Sequence, residues 1–208
     1  MPRSAARHFS YANSISSNCA KGLLANRELS KAARTEAPIQ VALDLLRPTQ
    51  VAVGMRSVAA KREKVIRRAE RRDKIARFLD RRPIPSVLGP EGHLYIIDHH
   101  HLGLALWQAE VDAAVVRIVD DLSSLSKPVF WTRMEEAGRL YPYDEAGRRV
   151  RPSRLPAALP ALREDPYRDL AWSVREAGGF KKSPEPYAEF RWAAYFREHI
   201  PARTVARN

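Results

Sequence analysis

The run Asp98-His99-His100-His101 places a carboxylate beside three imidazoles, residue types that move protons near neutral pH, hold divalent cations and donate hydrogen bonds to phosphates. It falls where the β-favouring stretch His93-Leu94-Tyr95-Ile96-Ile97-Asp98 gives way to the helical pattern Leu102, Leu104, Ala105, Leu106 and Trp107. A helix start there would point free N–H groups and the positive end of the macrodipole at the same spot, an arrangement suited to an anion. Asp98, His100 and His101 are therefore candidate catalytic residues. His99, His100 and His101 are candidate phosphate or nucleotide ligands. As a metal cage the run is poor, because consecutive helical side chains diverge by about 100° and no more than one or two could share an ion. A structural reading stands beside the chemical one: His101 packs inward, His99 caps the turn and His100 is solvated.

Two other clusters could carry binding. Between Arg56 and Arg82 the basic residues, among them Lys61, Lys64, Arg67, Arg68, Arg71, Arg72, Lys74, Arg77 and Arg81, outnumber Glu63, Glu70, Asp73 and Asp80. Such a helix could follow a nucleic-acid backbone, or could be an ordinary solvated face laced with charge pairs three and four residues apart. Tyr187, Phe190, Trp192, Tyr195 and Phe196, with Arg191 and Arg197 between them, could stack bases, although core packing is the commoner use of that spacing.

The elements that must position these residues follow from periodicity. Ile39 to Leu46 reads as a strand that Arg47-Pro48-Thr49-Gln50 breaks. Val58, Val65, Ala69, Ala76 and Leu79, widened by Ile66, Ile75 and Phe78, predict a long amphipathic helix over Ser57–Leu79, with room for one break. Pro85–Leu88, the turn Gly89-Pro90-Glu91-Gly92 and His93–Asp98 form a hairpin, and Ala114–Val119 is a further strand. Beyond Ser123 the pattern is helical and proline-punctuated: Phe130–Tyr141, a helix opened by Asp165-Pro166 and stopped by Gly178-Gly179, and a last helix from Ser183-Pro184 to about His199. Residues 1–37, rich in Ser, Ala and Asn with few acids, read as a flexible N-terminal tail, a composition also shared by transit segments.

Composition narrows the classes. The chain has 208 residues, 36 Lys plus Arg against 24 Asp plus Glu, and a formal net charge of +12, so phosphate-bearing partners lead. With 45% hydrophobic residues it can build a core, which excludes wholesale disorder. Its one cysteine, Cys19, cannot form an intramolecular bridge. No apolar run nears the roughly 20 residues of a spanning helix. The expectation is a soluble cytoplasmic protein that does not engage membranes.

The segment Ile84-Pro85-Ser86-Val87-Leu88-Gly89-Pro90-Glu91-Gly92-His93-Leu94-Tyr95-Ile96-Ile97-Asp98-His99-His100-His101 resembles the signature of the ParB and sulfiredoxin superfamily, and more narrowly the ParB-like nuclease family. Leu46-Arg47-Pro48-Thr49-Gln50 with Val53-Gly54 resembles that family's first box; Asp165-Pro166-Tyr167-Arg168 and Glu189-Phe190-Arg191-Trp192-Ala193 resemble its helical C-terminal half. The resemblance covers about Ile39 to Ile200. It implies an α+β fold: a small mixed-sheet domain over residues 38–125, followed by a helical extension over 126–208 packed on it. It also implies a cradle at the Asp98–His101 turn that holds nucleotide phosphates. Asp98 corresponds to the acid before the usual glycine, His100 to the central polar residue of the box and His101 to the next position. Two positions depart from the pattern, since His99 replaces the common glycine and Leu102-Gly103 stand where an arginine often follows. Arg56 and Lys61, next to the first box, are expected as further phosphate contacts. The resemblance implies a phosphate-ester enzyme, nuclease-like or a nucleotide-dependent phosphotransferase, using Mg²⁺ with a nucleoside triphosphate. The alternative is a non-catalytic nucleic-acid-binding module that uses the basic helix.

Overall fold

The computed structural model describes residues 23–181, 183 and 187–205. In chain order the helices are α1 (Leu23–Thr35), α2 (Met55–Ala69), α3 (Arg72–Asp80), α4 (His100–Gln108), α5 (Lys127–Glu136), α6 (Pro166–Glu176), α7 (Ala188–His199) and α8 (Ala202–Val205). The strands are β1 (Ile39–Ala42), β2 (Leu46–Pro48), β3 (Ala52–Val53), β4 (Ile84–Leu88), β5 (Leu94–Ile96), β6 (Ala113–Asp121) and β7 (Arg163–Glu164). Five strands form a mixed sheet in the order β1-β6-β4-β5-β2, and β3 pairs with β7 in a small parallel sheet. The fold is mixed α+β. Among the described residues no helix is long and apolar enough to cross a membrane.

The sheet is curled, and the chain connectivity requires it. β1 and β2 are its two edges, yet only Leu43–Leu45, one 3₁₀ turn, joins them. Across a flat sheet those edges would lie about 19 Å apart. A link of that length spans no more than about 14 Å even when extended. The single strand expected over Ile39–Leu46 is thus two strands on opposite edges. Leu43 and Leu45 are buried by that turn, and it is their burial that interrupts the strand.

The hairpin forms as expected, with Ser86 opposite Ile96 and Leu88 opposite Leu94 in antiparallel register. Leu46, Ile84, Leu94, Ile96, Leu106, Val116 and Ile118 fill the core beneath the helices. The long basic helix breaks once: α2 ends at Ala69 and α3 restarts from Arg71, whose extended backbone (φ −131°, ψ 118°) turns the chain. The helix expected over Phe130–Tyr141 lies at Lys127–Glu136, with Phe130 and Met134 buried. The last helix begins at Ala188 after Tyr187 in a left-handed conformation, later than Ser183-Pro184 suggests.

The tail needs correction. Residues 1–22 lie outside the described set, but Leu23–Thr35 is helical, with Leu29 fully buried and Ala32 nearly so. An isolated helix of this length is marginal in water. Burial of Leu29, about 1.5–3 kcal/mol, and of Ala32 one turn along holds it on the core. A stripe built mostly from alanine gives a weak periodic signal in sequence.

Candidate active site

Two helical faces define a cleft of about 680 Å³. Ser57, Lys61, Lys64 and Arg68 recur at helical spacing along α2, and Arg168, Trp172 and Arg175 do so along α6. The start of α4 contributes Asp98, His99, His101 and Leu102, and α7 with its leading residue contributes Tyr187, Glu189 and Phe190. Asp169 locks the two faces together. Its carboxylate accepts the N–H of Arg56 at 2.9 Å and of Ser57 at 3.1 Å, so the N-terminus of α2 is filled by the chain's own anion. The α4 terminus faces the cleft instead, and its first amides have no partners within their own helix.

The three histidines have three different fates. His99 caps α4 with φ 62° and ψ 23°, the left-handed geometry that favours glycine, so the residue at this position departs from the family pattern while the backbone keeps the conformation a glycine would take. Its N–H donates to Asp98 Oδ1 at 2.6 Å. His100 is buried and does not line the cleft. Its Nε2 accepts the Thr49 N–H at 3.1 Å, fastening the first box to the helix start. The alternative that His100 is solvated is overturned by its burial, and the residue expected to handle protons stands off the cleft lining. The Thr49 amide would otherwise be buried without a partner. His101 does line the cleft, but its Nε2 accepts the Gly54 N–H at 3.2 Å. With Nε2 acting as acceptor, each neutral ring carries its proton on Nδ1. Burial, aided by the nearby Arg168 charge, pushes the His100 pKa down to about 3 and that of His101 well below its ordinary value. At neutral pH His101 is an uncharged wall of the cleft that can donate from Nδ1.

Among the other candidates, Lys61 lies in the cleft and Arg56 does not. The Arg56 side chain is exposed, and its role passes through its backbone amide on Asp169. Lys61 Nζ donates to Ser57 Oγ at 3.2 Å. Burial first, then Arg175 and Lys64, pull the Lys61 pKa below that of an ordinary lysine.

Sequence reasoning missed the centre of the site. Arg168 is 6% exposed, and among the described residues its Nε and Nη1 have no hydrogen-bond partner. Its guanidinium lies 3.4 Å from the Phe190 ring centroid. Burial lowers its pKa to about 10, so it stays a cation at neutral pH. Arg175 pairs with Glu189 across the cleft. The spacing of Arg168, Trp172 and Arg175 on a helix opened by Asp165-Pro166 was a readable signal, since three residues at i, i+4 and i+7 share one face. Of the aromatic cluster, Tyr187 and Phe190 line the cleft, whereas Trp192 and Tyr195 remain substantially exposed, so core packing describes only part of it.

Lining the cleft are Lys61, Lys64, Arg68, Arg82, Arg168 and Arg175, against the acids Asp98 and Glu189. The lining is therefore predominantly cationic. Among the described residues no group of three or more His, Cys, Asp or Glu is placed to hold a metal ion.

The family model described as "Putative ParB-like nuclease" matches residues 39–198, well over half of the chain. The crystal structure of protein Atu1540 from Agrobacterium tumefaciens is similar over 83% of this chain and 85% of that one, with 37% sequence identity and a TM-score of 0.74. No curated protein matches the sequence. The matched span takes in the first box, the Asp98–His101 turn and the α6 and α7 faces that together wall the cleft, and the chain belongs to the ParB-like nuclease family.

Proposed function

We propose that the protein binds a phosphate ester in this cleft and acts on it, with the phosphate held by Arg168, Lys61 and the amides at the start of α4. The observation that carries the reading is Arg168: a buried cation with two unpaired donors on the wall of a cleft is costly to fold unless an anion completes it. Lys61 and Arg175 add charge around the same volume, and Trp172, Phe180 and Tyr187 give flat apolar surface for the organic part of a nucleotide. In a transfer or hydrolysis step the cations and helix amides would stabilise charge developing on the phosphoryl oxygens. Asp98, whose side chain is 74% exposed at the mouth, is the carboxylate free to accept a proton from an attacking hydroxyl or water. His100 and His101 hold the first box against α4 and thereby position the cleft.

Mg²⁺ fits this donor set in one form only. Asp98 would supply a single protein oxygen, and a nucleoside triphosphate would supply the rest. Bound so, the ion would neutralise phosphate charge.

Calorimetric titration with pyrophosphate, ATP and a dinucleotide, with and without Mg²⁺, tests the reading. Saturable binding is expected, weakened about 10-fold or more in Lys61→Met because a charge-assisted contact is lost. Affinity should also fall as pH rises through the depressed Lys61 pKa, and Lys61→Arg, which stays charged, should remove that fall. Absence of binding by the wild type at millimolar ligand would overturn the proposal.

A further inference from the structure

We propose that the ligand of this cleft is a single-stranded nucleic acid whose backbone leaves the cleft over the α2–α3 corner, where Arg68, Lys74, Arg81 and Arg82 form a second phosphate-binding site around Phe78. The inference rests on the phosphate-ester reading of the cleft and adds to it the class of substrate.

The corner holds a second concavity of about 270 Å³, and every residue lining it is cationic except Phe78. Arg68, Phe78 and Arg82 line both cavities, so the two adjoin. The arginines are held in place in advance. The Arg68 and Arg82 guanidinium carbons lie 4.9 Å and 4.3 Å from the Phe78 ring centroid. Each also donates to a helix carbonyl four residues back, Arg68 Nη1 to Lys64 O at 2.7 Å and Arg82 Nη1 to Phe78 O at 3.3 Å.

A solvated basic helix normally balances its charge with acids one turn away. That happens where Glu63 pairs with Arg67 and Asp73 with Arg71, and at the corner itself for Arg77, which lines the concavity and is paired with Asp73. At the corner, among the described residues, no carboxylate lies within ion-pair distance of Arg68, Lys74, Arg81 or Arg82. Four uncompensated cations, two of them ordered on one ring, suit a ligand with several phosphates at regular spacing better than a mononucleotide, whose phosphates Lys61 and Arg168 already hold. Single-stranded form follows from the cleft: Trp172, Phe180 and Tyr187 offer ring faces on which unpaired bases can stack, whereas a duplex hides its base faces.

The test compares fluorescence-anisotropy binding of a roughly 20-residue oligothymidylate, the matching oligouridylate, a duplex of the same length and a dinucleotide across a salt series. Calorimetry with pyrophosphate reports on the cleft alone. Contacts from Lys61, Lys64 and the four corner cations predict a log-affinity slope on log salt of about −4 for a single strand. Either single strand should bind about 10-fold or more tightly than the dinucleotide. In Lys74→Glu/Arg81→Glu, two exposed positions, that advantage should vanish and the slope should shrink by about 1.4, with pyrophosphate affinity unchanged. A single strand bound no more tightly than the dinucleotide, a duplex preferred over both strands, or a double variant indistinguishable from wild type would overturn the second site while leaving the cleft reading intact. Failure of pyrophosphate to bind would instead remove the cleft reading.

Discussion

Arg168→Met separates binding from folding. Folding buries this guanidinium and gives it the Phe190 face and the field of Asp165 and Asp169, but leaves Nε and Nη1 without hydrogen bonds. Methionine, similar in volume though shorter in reach, carries no such desolvation. The substitution strands no carboxylate, because Asp165 keeps Arg197 at 2.6 Å and the Tyr167 N–H at 3.0 Å, and Asp169 keeps the α2 amides. The unliganded variant should therefore range from neutral to about 2 kcal/mol more stable, the usual result of replacing a buried ion by an apolar isostere. For a chain of this length that is a Tm rise of up to about 8 °C. Binding behaves in the opposite way. Pyrophosphate at about 100 times its Kd stabilises the wild type by about 2.7 kcal/mol, or roughly 5–11 °C. Loss of one charge-assisted contact weakens affinity about 10-fold or more, so at the same concentration the variant should retain about half of that shift or less. Differential scanning fluorimetry with and without pyrophosphate reads both effects. A variant that melts several degrees lower and keeps the full shift would refute the reasoning. That result would assign the Arg168 donors to the void of about 10 Å³ behind the cleft, where Arg197 Nε also lacks a partner and one water would fit.

The histidines predict an acid-sensitive fold. The folded pKa of His100 is near 3 and that of His101 is also depressed, so the unfolded chain, titrating near 6.5, takes up protons first. The contribution of His100 is complete above that value and lost as pH falls toward 3, and that of His101 is lost in the same direction, at a limiting slope of about 1.4 kcal/mol per pH unit for each. His100→Gln, whose amide oxygen can still accept the Thr49 N–H, should flatten the profile of urea-derived stability between pH 4 and 6 by roughly one histidine's slope; an unchanged profile would contradict the burial argument. Gly54→Ala addresses the joint between α2 and α6. A methyl there would meet Asp169 Oδ1 at 2.3 Å and the Asp169 backbone N at 3.0 Å. Displacing that carboxylate uncaps α2, at a cost of about 1–3 kcal/mol by urea denaturation, with weakened pyrophosphate binding because the two cationic faces lose their register. Wild-type stability in Gly54→Ala would show that Asp169 does not hold the faces together.

Local chemistry made much of this protein legible in its sequence. Proline and glycine punctuation, together with period-two and period-3.6 apolar patterns, placed the β4–β5 hairpin, β6, α4 and the Asp165 cap close to where they lie, because backbone sterics and one-sided burial act over a few residues. Asp98, His101 and Lys61 line one cleft in the fold, a proximity the sequence could suggest because a strand-to-helix turn and a helix face are local features. Three things depended on residues far apart in the chain. The division of Ile39–Leu46 between two sheet edges follows from closure of the curled sheet. The docking of Leu23–Thr35 follows from a core that only the sheet provides. The roles of the histidines turn on Thr49 and Gly54, some 50 residues upstream. Sequence alone could mark three adjacent imidazoles as chemically capable, but the backbone amides that packing brought against them made two of them acceptors, and Arg168, from the far helix, became a buried cation on the cleft wall with two donors that no described residue satisfies.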